Sequence, residues 1–182
     1  MAKLNNKNKI ILDLCGGTGA WSAPYKKAKY DVRLIDLPED IRLLEKQNIN
    51  VYGILCAPPC RCFTNAANSM KNSITEMIDA LSVVDACLRA ITIYKPKFWA
   101  LENPPGKLSK YLGDPKFKFH PWHFEAASRK LTYLWGNFVA PERKIFRRPG
   151  QLISTGNIGR GGDYRRAITP GGFAKAFFKV NQ

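Results

Sequence analysis

The chain of 182 residues sets 29 Lys and Arg against 14 Asp and Glu, a formal net charge of +15, with an ordinary 45% of hydrophobic residues. That length suits a single domain spanning 1–182 with a core of its own. No run of about 18 apolar residues is present to span a bilayer, and the opening MAKLNNKNK lacks the apolar core of a secretory signal, so a cytoplasmic protein without membrane contact is expected. So large a cationic excess favours polyanions through counterion release, which puts nucleic acid ahead of small acidic molecules as the expected partner. The charge is concentrated: from Arg143 onward nine basic residues face one acidic residue, Asp163. The five cysteines are odd in number and unevenly spaced, unlike a secreted disulfide framework, so reduced thiols are expected.

Along the chain, Lys9 to Leu14 (KIILDL) reads as a buried strand that runs into the turn Gly16-Gly17-Thr18-Gly19 and then a helix. Tyr30 to Leu37 alternates as a second strand, with Asp36 near its carboxyl end. Val51 to Ala57 reads as a third, stopped by Pro58-Pro59. Ile74 to Tyr94 reads as a long helix, with Met77, Ile78, Leu81, Val84, Leu88 and Ile91 at helical spacing. Ser73 and Glu76 form a capping box at its start, and Pro96 closes it. Phe98 to Leu101 reads as a strand ending in Glu102-Asn103-Pro104-Pro105, and Tyr133 to Phe138 as another. Gly150 to Gly162 reads as a glycine-rich loop, and Phe173 to Val180 as a closing helix. Strands alternating with helices predict an α/β fold with a doubly wound, mostly parallel sheet. In such a fold ligands bind beyond the carboxyl ends of the strands, where the Gly turn, Asp36, the Pro-Pro-Cys and the Glu-Asn-Pro would converge.

Each candidate has a chemical reading and a plain one. The turn DLCGGTGAW (Asp13 to Trp21) lets a backbone approach a ligand closely, but it is not the GxGxxG dinucleotide fingerprint, and a ligand-free turn is the alternative. Asp36 and Asp40 follow at spacings suited to a ribose and an adenine ring, or are loop-end carboxylates. In CAPPCRCF, Cys60 follows two prolines that fix its backbone, and Arg61 beside it would favour the thiolate. Cys56 lies inside the strand and reads as core, and Cys62 has no assigned role. A zinc site built from these cysteines with His120 and His123 lacks the paired knuckle spacing of such sites, and no metal is expected. Glu102, directly after an apolar strand, needs work or a partner: it is either a proton donor to a substrate base or one arm of a salt bridge.

In that order, the Gly turn, the Pro-Pro-Cys with Phe-Thr after it, and the Glu-Asn-Pro resemble the DNA cytosine-5 methyltransferase family across nearly the whole chain. DLCGGTG is similar to the family's DLFxGxG cofactor turn, APPCRCFT to its PPCQxFS, and ENP to its ENV. The resemblance implies the Rossmann-like fold of S-adenosylmethionine-dependent methyltransferases and S-adenosylmethionine as cofactor. It implies cofactor contacts at Asp13, Gly16, Gly17, Thr18, Gly19, Trp21, Asp36, Asp40 and Pro58. Cys60 would be the nucleophile and Glu102 the residue that holds the base. SRKLTYLWG looks like the family's QxRxR segment, with Arg129 matching its first arginine, and ITPGGFAKAFFKVNQ stands in the place of the last motif. Arg61 replaces the family's glutamine, and Leu131 stands where a second arginine is expected. The larger departure lies between Phe138 and the closing motif, where about thirty residues replace the family's target-recognition domain.

A basic segment at about 139–168 takes that place, so double-stranded DNA read with little sequence specificity is the expected substrate. A partner subunit supplying recognition is a further possibility. Small stand-alone relatives of this kind are familiar in phage genomes, and a phage origin is expected. The rival readings are methylation of a free cytosine nucleotide or of RNA, and a non-catalytic module that keeps the fold to hold nucleic acid or a partner.

Overall fold

Short apolar segments build a central sheet because β-branched and aromatic residues pack well on a pleated surface. The computed structural model describes residues 6–65, 72–152 and 167–182. In chain order these contain β1 (Ile10–Leu14), α1 (Ala23–Lys27), β2 (Asp31–Ile35), β3 (Val51–Cys56), α2 (Ile74–Tyr94), β4 (Phe98–Asn103), α3 (Ser109–Leu112), β5 (Phe117–Phe119), β6 (Thr132–Asn137) and α4 (Gly171–Val180). Short 3-10 turns occupy Ile41–Leu43 and Pro121–Phe124.

The six strands form one sheet in the order β2-β1-β3-β4-β6-β5. The neighbours β1 to β4 are parallel, whereas β6 runs antiparallel to both β4 and β5. From β1 the chain moves to β2 on one side and then returns to β3 on the other. The fold is therefore the expected Rossmann-like, doubly wound α/β sheet, with its topological switch point between β1 and β3.

Alternate side chains point to opposite faces, so each strand feeds two cores. On one face Ile11, Leu55, Phe98, Ala100 and Leu134 pack with Tyr25 of α1 and Phe173, Ala174 and Phe177 of α4. On the other, Leu12, Leu14, Ile54, Cys56 and Leu101 pack with Val84, Ala86, Cys87 and Ala90 of α2. The long helix has the expected ends: Ser73 and Glu76 form the capping box, and Lys95 turns left-handed at its close. Its buried stripe differs from the spacing-based expectation. Small residues at 86, 87 and 90 let the helix press on the sheet, while Ile78, four positions after its first residue, is 61% exposed.

β5 was not evident in the sequence because only three residues make it. The Gly150 to Gly162 loop falls largely outside the described residues, as do Arg160, Arg165 and Arg166. No described helix is long and apolar enough to cross a membrane.

Candidate active site

The carboxyl ends of the parallel strands carry four loops, and hydrogen bonds link them in sequence across the sheet. Cys15 donates its backbone N–H to Ile35 of β2 at 2.8 Å, and Ala57 donates to Leu14 of β1 at 2.9 Å. Asn103 then reaches from β4 to the carbonyl of Pro58 at 3.0 Å, with its side chain fully buried. The turn after β1, Asp36 after β2, the Pro-Pro-Cys after β3 and Glu102 near the end of β4 thus share one edge, as the topology demands.

The Gly turn is built over a buried acid. Asp13 is the penultimate residue of β1 and has no solvent exposure. Ser22 donates its hydroxyl to Asp13 Oδ2 at 2.5 Å, while Oδ1 is buried and unpartnered. Burial raises its pKa to about 6, outweighing the Ser22 bond that lowers it. Gly16 lies directly above: a Cβ there would stand 2.3 Å from Asp13 Oδ1, so no side chain fits. Gly17 has a φ of +55° and donates its N–H to Asp36 Oδ2 at 2.5 Å. Asp36 also accepts from its neighbour Leu37 at 2.8 Å, which holds the carboxylate across the turn. Thr18 is exposed on the same turn.

The remaining candidates of this half sit differently. Trp21 is only 2% exposed, its ring centroid 5.9 Å from that of Phe173 and 5.5 Å from that of Phe177, and it serves the core. Asp40 caps the turn Ile41–Leu43 by accepting from Arg42 N at 2.9 Å, and it pairs with the Arg42 guanidinium at 2.6 Å. Both therefore have structural occupations.

The Pro-Pro-Cys loop is fixed from both sides. The carbonyl of Cys60 accepts the N–H groups of Phe63 and Thr64, each at 3.0 Å, which closes the chain into a tight turn. Phe63 is fully buried, and its carbonyl accepts from Lys107 at 2.7 Å. Asn65 donates to Pro105 at 3.1 Å, and Thr64 bridges Gly106. The segment after Glu102 is thereby zipped to the segment after Cys60. The three cysteines of CAPPCRCF separate in space: Cys56 is buried, Cys60 is half-buried in the loop, and Cys62 directs its thiol to the Glu76 carbonyl of α2 at 3.7 Å. Among the described residues no group of three or more His, Cys, Asp and Glu is placed to hold a metal.

Glu102 lies within β4, opposite Leu134 of β6. Its carboxylate meets Lys130 Nζ at 3.3 Å, both side chains being mostly buried. Arg129 is exposed, and its carbonyl bonds to His120 Nδ1 at 2.9 Å. The sequence pattern points to Arg129 rather than to its neighbour Lys130. Strand parity would have pointed to the lysine: Leu134 pairs with Glu102, and residue 130 continues the alternation of 134 and 132 two positions before β6 begins. His123, beyond β5, is buried, and its pKa is lowered to about 4 by burial, with Arg143 and His120 adding to the effect. Two grooves elsewhere, one between α1 and α4 and one beside Trp99 and Trp135, include none of Cys60, Glu102 or Asp36.

No family model matches the chain, and no curated protein matches it. Among solved structures it is similar to a crystal structure provisionally described as a DNA modification methyltransferase encoded within a prophage of E. coli. The two share 20% identity with a TM-score of 0.49, over 71% of this chain and 46% of that one. The chain thus spans less than half of that structure's length.

Proposed function

We propose that the chain is an S-adenosylmethionine-dependent DNA cytosine-5 methyltransferase with little sequence preference. The observation that carries this reading is the zipper between residues 63–65 and 105–107, which brings a proline-braced thiol and a strand-end carboxylate to one edge beside a glycine turn. The charge of +15 favours a polymeric substrate over a free nucleotide.

The turn suits the cofactor. A cradle stripped of side chains at Gly16 and Gly17 leaves room for a ligand to approach the backbone, and Asp36 at the end of β2 offers carboxylate oxygens to a nucleoside. Asp36 accepts two backbone bonds and keeps acceptor capacity for ribose hydroxyls. When bound, S-adenosylmethionine supplies an electrophilic methyl group.

The chain's own residues prepare the base to receive it. Carbon 5 of cytosine is a weak nucleophile, so the Cys60 thiolate adds to carbon 6, and the electron pair of the 5,6 double bond passes to carbon 5. Glu102 contacts ring nitrogen 3 and the exocyclic amine, stabilising charge that develops there, and Lys130 orients its carboxylate. Once carbon 5 has spent that pair on the methyl group, leaving the sulfonium as a neutral thioether, loss of the carbon-5 proton to solvent returns an electron pair to the ring, and the Cys60 thiolate leaves carbon 6. Arg129, exposed and next to Lys130 in the chain, would take a phosphate or the base. In a duplex the target cytosine must first leave the stack, at a cost of a few kcal/mol that a cationic surface offsets.

Labelled methyl transfer to DNA tests the reading. Wild type is expected to label cytosine carbon 5 and Cys60→Ser to fall to background; undiminished transfer by the variant removes Cys60 from the mechanism. DNA bearing 5-fluorocytosine separates catalysis from a binding module, because only an active nucleophile traps it covalently.

A further inference from the structure

The described part of the basic segment holds an exposed aromatic whose setting points to a nucleic-acid contact. Phe146 is 73% exposed, in the run Arg143-Lys144-Ile145-Phe146-Arg147-Arg148. Its backbone is not a loose tail. Arg143 donates to the Lys118 carbonyl at 2.8 Å and lays its guanidinium over the Phe117 ring at 5.6 Å. Lys144 and Ile145 then both donate their N–H groups to the His123 carbonyl, at 3.0 and 3.2 Å. Phe146 is the next residue, so the last fixed point lies directly before the side chain that enters solvent.

That anchor stands at the carboxyl edge. β5 runs in the same direction as β4, since both are antiparallel to β6, so its end at Phe119 and the turn Pro121–Phe124 lie on the edge where β4 presents Glu102. The strand partner of Phe119 is Thr132, two residues after the Lys130 that pairs with Glu102. Lys144 is partly neutralised by Glu125 at 2.8 Å, whereas Arg147 and Arg148 are exposed. An aromatic face next to two exposed arginines matches a polymer that alternates apolar base faces with phosphates.

We infer that Phe146 stacks on a nucleobase of the DNA substrate while Arg147 and Arg148 take its phosphates, a strap that grips DNA on the sheet edge that also carries Cys60 and Glu102. This rests on the reading of the chain as a DNA methyltransferase, and it assigns residues to a grip that the reading leaves unassigned. Fluorescence anisotropy with a labelled duplex containing one unpaired cytosine, titrated against the full chain at several salt concentrations, tests it.

Phe146→Ala is expected to weaken binding roughly tenfold with the salt slope unchanged, and Phe146→Trp to bind as wild type. The double variant Arg147→Ala, Arg148→Ala should lower the slope of log K against log salt by about 2. Affinity of Phe146→Ala equal to wild type overturns the stacking, and an unchanged slope in the double variant overturns the phosphate grip. A Phe146-dependent association with phosphatidylserine vesicles in place of DNA overturns the choice of partner. Should the binding effects appear without methyl transfer, the catalytic reading fails and the strap stands. Methyl transfer whose kcat/KM and DNA affinity are indifferent to Phe146→Ala defeats the strap alone.

Discussion

The glycine turn after β1 and the proline loop after β3 flank the same switch point but are held by different means. The first is supported from below and from beside by carboxylates, Asp13 under Gly16 and Asp36 on the Gly17 N–H, all within residues 13–36. The second is held by neutral groups contributed by a distant segment, Asn103 on the Pro58 carbonyl and the pairing of 63–65 with 105–107. A turn built on local acids responds to pH. A loop clasped by its neighbour responds to shape.

The clasp is tightest at Gly106, and breaking it there has the largest expected effect. A Cβ on Gly106 would lie 1.9 Å from the Phe63 carbonyl oxygen, a backbone atom that cannot swing aside. Gly106→Ala is expected to cost about 3 kcal/mol in urea unfolding, as overpacking against rigid groups does, and to abolish methyl transfer. Binding of S-adenosylmethionine by the folded variant, measured by calorimetry, should persist, because the glycine turn has its own supports. Equal loss of cofactor binding would show that the two loops are one unit.

Asn103→Ala is gentler on shape and leaves the Pro58 carbonyl without its buried donor. It is expected to destabilise by about 1–3 kcal/mol. Methyl transfer at a temperature where the variant is fully folded should still fall, because the proline brace loses its anchor. Wild-type activity in that folded variant would show that the prolines alone fix the loop.

The same contrast explains what was legible in the sequence. β1, β3 and α2 were readable because their signals are local: apolar runs stopped by glycine or proline, and a capping box whose two residues lie three apart. The convergence of Cys60 and Glu102 on one edge followed from the α/β alternation. The contacts that set their positions did not, because the amide of Asn103 meets a carbonyl 45 positions away. Trp21 illustrates the opposite case. Its place next to the glycine turn suggested a ligand contact, yet Phe173 and Phe177 of α4 enclose it, and nothing near residue 21 announces them. Ile78 fits one of the helical spacings but lies on the outer side of α2, whereas its neighbours Met77 and Leu81 pack against the core, a distinction that the spacing alone does not contain.

The smallest expected effect comes from breaking the glycine turn, and its signature is a slope rather than a loss. Asp13 has a folded pKa of about 6 against an ordinary 3.8, so between these values the folded chain keeps a proton that the unfolded chain releases. Its contribution to stability is full below about pH 3.8 and lost as pH rises through about 6, on the order of 3 kcal/mol in all. His123 opposes it: with a folded pKa of about 4 against 6.5, its contribution is lost as pH falls through that window. The two slopes offset each other in the wild type. Asp13→Asn removes one of them, so its stability should rise from pH 4 to 6.5 more steeply than the wild type's. At pH 7 it avoids burying a charge but leaves an amide without a full set of partners, which reduces the net gain to about 1 kcal/mol. Parallel stability curves for the two proteins, from urea titrations across that range, would mean that Asp13 is ionised in the folded chain and that Gly16 sits above a charge.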